Sequence, residues 1–154
     1  MNDKTRDFIE QNLNADIRQL ALKGCRDKDV DLDAAIRQIA GRQTARRKLP
    51  SWAALDGILY PPHLNMEQCS SEQTARYKAG ICSSHPSPKT LVDLTGGFGV
   101  DFAFMSEAFD EATYVERNSE LFAISSANMK ILAPKAKCLN EDGLEVLHRL
   151  DHVS

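Results

Sequence analysis

The chain has 154 residues, of which 42% are hydrophobic and 27% charged, and a formal net charge of −3; this is enough apolar material for one buried core and excludes disordered and fibrous classes. It holds no apolar run near the roughly 18 residues that a membrane helix needs, and its polar first residues do not read as a targeting segment, so a cytoplasmic, non-membrane protein is expected. Cys25, Cys69, Cys82 and Cys138 show no C-x-x-C spacing, which argues against a zinc site or a disulfide framework and for buried, reduced thiols.

The charge is unevenly placed. Lys and Arg outnumber Asp and Glu by two over residues 1–80 and fall short by five beyond them. In chain order, Phe8, Ile9, Leu13, Ile17, Leu20 and Leu22 recur at helical spacing, with Asn14 as a cap between two short helices. Residues 27–33 form a polar turn. Asp31 or Asp33 caps a longer helix, whose face is Leu32, Ala35, Ile36, Ile39 and Ala40 and which reaches Lys48 before Pro50 ends it. Trp52, Leu55, Ile58 and Leu59 are expected to pack these helices onto the later part of the chain. Arg42, Arg46, Arg47 and Lys48 crowd the long helix's C-terminus, where the dipole favours cations; a phosphate-contacting patch is the sharper alternative.

Tyr60-Pro61-Pro62-His63 reads as a rigid connector. Ser70 with Gln73 three residues on makes a capping box for a helix carrying Ala75, Tyr77, Ala79 and Ile81. A Ser/His/Pro linker over 83–88 then divides a helical region, residues 1–82, from a second domain, residues 83–154.

That second domain alternates strand and helix: strands over 91–94, 112–115 and 136–139, helices over 100–109 and 119–132, and a last helix with Val146, Leu147 and Leu150 on its apolar face. The pattern predicts an α/β fold with a parallel sheet and right-handed crossovers. Between the first strand and its helix lies Asp93-Leu94-Thr95-Gly96-Gly97-Phe98-Gly99-Val100-Asp101, where a doubly wound sheet opens its ligand crevice. The Gly-Lys-Ser/Thr ending of a phosphate-gripping loop is missing, which argues against nucleoside triphosphates. Phe102 occupies the place where a dinucleotide loop has its third small residue, which argues against NAD and FAD.

These elements together resemble the class I S-adenosylmethionine-dependent methyltransferases. Asp93 to Gly99 resembles that family's first motif with Thr95 in place of the usual first glycine, and the D-x-T-x-G-x-G-x-D form closed by Asp101 is similar to a subset that modifies RNA. The resemblance implies a Rossmann-like sheet and S-adenosylmethionine as cofactor. It places Asp93, Thr95, Gly97, Gly99 and Asp101 in the cofactor loop, makes Glu116 the ribose-binding acid at the second strand end, and has Asp142 accept from the adenine amino group after the third. The segment Gln68-Cys69-Ser70-Ser71 falls where the family often contacts the methionine end. The N-terminal helices look like those of bacterial RNA-methyltransferase-like proteins that carry a THUMP-like module.

A complete class I sheet has about seven strands, and three are legible here. The resemblance therefore implies a cofactor-binding half, inactive by itself, with RNA as partner and a first strand whose open edge pairs in a homodimer or is covered. No metal and no catalytic residue is expected: His63, His85, His148 and His152 read as surface or helix residues. The competing reading is a noncatalytic helical and Rossmann-like interaction module.

Overall fold

Helix caps and apolar periodicity set the elements of the first sixty-odd residues. The computed structural model describes residues 1–84 and 90–150, so the expected linker from residue 85 on, with His85, and also His152, lie outside the described residues. Helix α1 (Asp3–Gln11) is capped by Asn2, and α2 (Ile17–Lys23) by Asp16, whose carboxylate accepts from the Gln19 N–H. Asn14 is not the cap: its side chain accepts from Arg46 at 2.6 Å. Helix α3 (Leu32–Lys48) is capped by Asp31, since the Asp31 carboxylate is placed to accept the Ala34 N–H at 3.0 Å. Pro50 closes α3 and also opens a single turn, α4 (Pro50–Ala53), because its fixed φ suits a first helical position. The expected connector, residues 60–63, leads into α5 (His63–Gln68), a helix whose first residue is the connector's last.

Contacts divide the chain into two compact units, one of Met1–Asp56 with Tyr60–Glu67, the other of Gly57–Leu59 with the residues from Gln68 on. In the first unit Ile9, Leu20, Ala35 and Ile39 form the core, flanked by Phe8, Leu13, Ala15, Ile17 and Ile36. Trp52 is buried there, whereas Leu55, expected to pack, is exposed. The basic run does not act as one patch. Arg42 pairs with Glu10 and Asp56, and Lys48 donates to the carbonyls of Met66 and Glu67.

The second unit holds α6 (Glu72–Ser83), β1 (Thr90–Asp93), α7 (Val100–Ser106), β2 (Glu111–Val115), α8 (Ser119–Leu132), β3 (Lys137–Leu139) and α9 (Gly143–Arg149). Helix α6 is capped by Ser71, accepting from Thr74, and not by Ser70. The strands pair in parallel in the order β1-β2-β3, with Asp93 opposite Tyr114 and Val115 opposite Leu139. Each strand is thus followed by a helix before the next strand, the alternation that parallel pairing requires. The core of this unit is Val100, Phe102, Ala103, Tyr114, Val115 and Met129. Tyr114 meets Phe102 edge-on, with centroids 5.6 Å apart, and stacks on Phe122. The side chain of Asn128 clamps the Leu59 backbone, accepting its N–H and donating to its carbonyl, both at 2.8 Å. The four cysteines form no disulfide, and they are half-buried rather than buried.

Candidate functional site

The loops that follow the three strands converge at the carboxyl end of the sheet. Beyond β1 the ladder continues through the Gly96 N–H, which donates to the Val115 carbonyl at 2.8 Å, and beyond β2 through the Glu116 N–H, which donates to Leu139 at 3.1 Å. The β1 loop then turns sharply. Gly97 and Gly99 hold φ of +55° and +83°, values that side-chain-bearing residues rarely adopt. A Cβ on Gly99 would also overlap the Met129 methyl.

Four of the loop's amides are tied inside the protein. Thr95 N–H donates to the Asp93 carboxylate at 3.0 Å, Gly97 N–H to Glu116 Oε2 at 3.0 Å, and Gly99 N–H to the Gly96 carbonyl at 2.8 Å. With the Gly96 N–H also engaged, these four donors are satisfied inside the protein, while α7, whose N-cap Gly99 makes no side-chain cap bond, leaves its first amides uncapped. The side chains around the turn are carboxylates. Burial raises the Asp93 pKa above the ordinary Asp value, and the charges of Asp101 and Glu116 raise it further, against the lowering effect of the Thr95 N–H.

Glu116 joins the first two loops. Its Oε2 takes the Gly97 N–H and its Oε1 takes the Asn118 N–H at 2.7 Å, which fixes the carboxylate and leaves a second lone pair on each oxygen. Asn140, after β3, donates to the Glu116 carbonyl at 2.7 Å and so ties the third loop to the second. Asp142 caps α9 by accepting from Leu144 at 2.8 Å and bonds to none of the other acids. The next residue brings it close: at Gly143 a Cβ would overlap the Leu94 carbonyl, so the β3 loop lies directly on the β1 loop.

Asp101 lies on the other side of the turn, against α6. Its Oδ2 accepts from Ser70 Oγ at 2.9 Å and from Lys78 Nζ at 2.6 Å, while Oδ1 is buried without a protein partner. Thr95 is exposed on the loop. The structure therefore bonds Gly97 to Glu116, places Asp93 and Gly99 in the same turn through their bonds with Thr95 and Gly96, lays Gly143, the neighbour of Asp142, on the β1 loop, and holds Asp101 to the segment that contains Ser70.

Three participants were not singled out in the sequence. Tyr114 and Ser125 both donate to the Gly97 carbonyl, Ser125 at 3.1 Å, and so lock the turn from below; burial pushes the Tyr114 hydroxyl well above its ordinary pKa. Lys78 neutralises Asp101. Nothing local marks these three. Gly143 did carry a signal, since a glycine directly after a capping acid runs against helix propensity unless another backbone approaches closely.

Among the described residues no group of three His, Cys, Asp or Glu side chains is placed to hold a metal ion, and no helix is long and apolar enough to cross a membrane. No family model matches the sequence, and no curated protein matches it. Among solved structures the chain is similar to one described as a "putative methyltransferase" from Porphyromonas gingivalis W83, with 25% identity and a TM-score of 0.76, covering 96% of this chain and 38% of that one. The architecture is accordingly an α/β Rossmann-like methyltransferase fold, over well under half of the matched chain's length.

Proposed function

We propose that this chain is the S-adenosylmethionine-binding half of a methyltransferase acting on RNA, and that it does not transfer methyl groups by itself. The observation that carries this reading is the bond from Gly97 N–H to Glu116, which closes the glycine turn onto an acid at the next strand end. A crevice in which four loop amides are satisfied and the side chains present are carboxylates suits a ligand with a cationic amine and a ribose diol better than a phosphate. Glu116, held by two backbone N–H groups, has lone pairs left to accept from a diol. Asp142 keeps a carboxylate oxygen for an adenine amine while the other caps α9. The orphaned Oδ1 of Asp101 fits a donor that the protein does not supply. The RNA assignment rests on the D-x-T-x-G-x-G-x-D form of the loop, and likeness to THUMP-like-module proteins rests on the N-terminal helices.

When bound, S-adenosylmethionine supplies an electrophilic methyl group on a sulfonium. The protein's part is alignment in a site suited to a charge that disappears during transfer, so no general base is required. His63 and His148, both on helices, have no place in it. The open edge of β1, which pairs with β2 alone among the described residues, takes either a further strand or a second copy of this chain.

Calorimetric titration of S-adenosylmethionine and S-adenosylhomocysteine, with Glu116→Ala as control, tests the cofactor assignment. Saturable binding, weakened at least about tenfold in the variant by loss of a charge-assisted acceptor, is expected. Equal binding by both chains would remove Glu116 from the site, and no binding by either would favour the noncatalytic interaction module.

A further inference from the structure

The first compact unit contains a groove of about 810 Å³, lined by α2, α3 and the segment from Pro61 to Met66. Its charged lining differs from the basic run in the sequence. Of residues 42–48 only Arg47 reaches the groove with its charge uncommitted, and it is joined there by Arg18 from α2 and Arg37 from the middle of α3. None of these three arginines makes an ion pair or side-chain hydrogen bond with the described residues, and all three are exposed. Arg42, Arg46 and Lys48, by contrast, are engaged by Glu10, Asn14 and the carbonyls of α5. Asp33 is the acid in the lining.

The spacing says what kind of anion fits. Asp33, Arg37, Ala40, Thr44 and Arg47 recur every three or four residues and so share one face of α3. Arg37 and Arg47 stand ten residues apart, about 15 Å along the helix axis. One small anion cannot meet both, whereas a polyanionic strand can. The rest of the lining mixes apolar residues, Ile17, Ile36 and Pro61, with Gln43, Thr44 and His63, a surface against which unpaired bases can lie, whereas the bases of a duplex are turned inward.

We infer that this groove binds single-stranded RNA, with Arg18, Arg37 and Arg47 on successive phosphates. The inference rests on the RNA reading above and deepens it by naming a surface that engages the acceptor. It concerns residues distinct from those assigned to the cofactor, so the two fail separately.

The test is fluorescence anisotropy of a labelled 20-nucleotide unstructured RNA against the 154-residue chain, over a salt series. Three proteins are compared with the parent: Arg18→Gln/Arg37→Gln/Arg47→Gln, a charge-matched control Arg6→Gln/Arg26→Gln/Lys28→Gln, and Asp33→Asn. The groove variant is expected to bind at least about tenfold more weakly, with the salt slope shallower by about 2, since each single-strand phosphate contact contributes about 0.7. The control is expected to lose much less, and Asp33→Asn to bind more tightly, a gain that partial unfolding cannot mimic. Equal losses in groove variant and control, no effect of Asp33→Asn, or no RNA binding by the parent chain would each overturn the inference. S-adenosylhomocysteine titrated into the same proteins separates the outcomes: cofactor binding intact with RNA binding absent refutes the groove alone, and absent cofactor binding refutes the methyltransferase reading.

Discussion

Asp93, beside the glycine turn, carries a charge that costs the fold stability. Burial raises its pKa, so folding disfavours its ionised form; the resulting loss of stability is complete above the raised value and is relieved as pH falls back towards the ordinary 3.8. Asp93→Asn keeps an oxygen for the Thr95 N–H and removes the buried charge. It should therefore raise Tm at pH 7, with the gain shrinking as pH approaches the ordinary carboxylate range, as read by thermal melts at several pH values. Asp101→Asn should act in the opposite sense. It weakens the contact with Lys78, whose side chain is 44% exposed, and a solvent-screened pair of this kind is worth about 1 kcal/mol or less, measurable by urea denaturation. The acids at the strand ends were legible in the sequence because each follows an apolar run and precedes a turn. Their partners were not, since Lys78 lies twenty-three residues from Asp101 and twenty-eight separate Gly97 from Ser125.

Helices with both a cap and a sustained apolar stripe were the most readable: α8 spans Ser119–Leu132 as its pattern predicts, and α3 ends at Lys48, about where its pattern runs out. Errors fell where neighbours compete for one role. Ser70 and Ser71 can each cap α6 on sequence grounds; the structure uses Ser71 for the cap and turns Ser70 to Asp101. Helix α7 stops at Ser106 rather than 109. Ser71→Ala should then cost about 1 kcal/mol through the lost cap, in a urea midpoint shift. Gly143→Ala forces a Cβ against the Leu94 carbonyl, an overpacking that costs about 1–3 kcal/mol and displaces Asp142 from the β1 loop. Gly80, where a Cβ meets nothing within 4 Å, is the internal control. Gly80→Ala should stabilise α6 by about 0.5–1 kcal/mol, and the opposite signs of the two glycine variants separate close approach from helix propensity.

For the whole molecule, the β1-β2-β3 order leaves β1 with one open edge among the described residues, and exposed edges invite pairing. The 154-residue chain is expected to self-associate with rising concentration in sedimentation experiments, and a longer chain supplying a strand beside β1 to remain monomeric; concentration-independent monomers of the shorter chain would contradict edge pairing. The parallel α/β class was visible from the alternation of elements alone. The division into compact units was less so, because Gly57–Leu59 joins residues far along the chain through the Asn128 clamp. That the three strand ends form one cofactor site is tested most directly by a ¹H–¹⁵N spectrum recorded during titration with S-adenosylhomocysteine. The amides of Gly96, Gly97, Gly99, Asn118 and Gly143 should shift together and saturate at one ligand concentration. Shifts confined to residues 1–67, or none at those five amides, would contradict it.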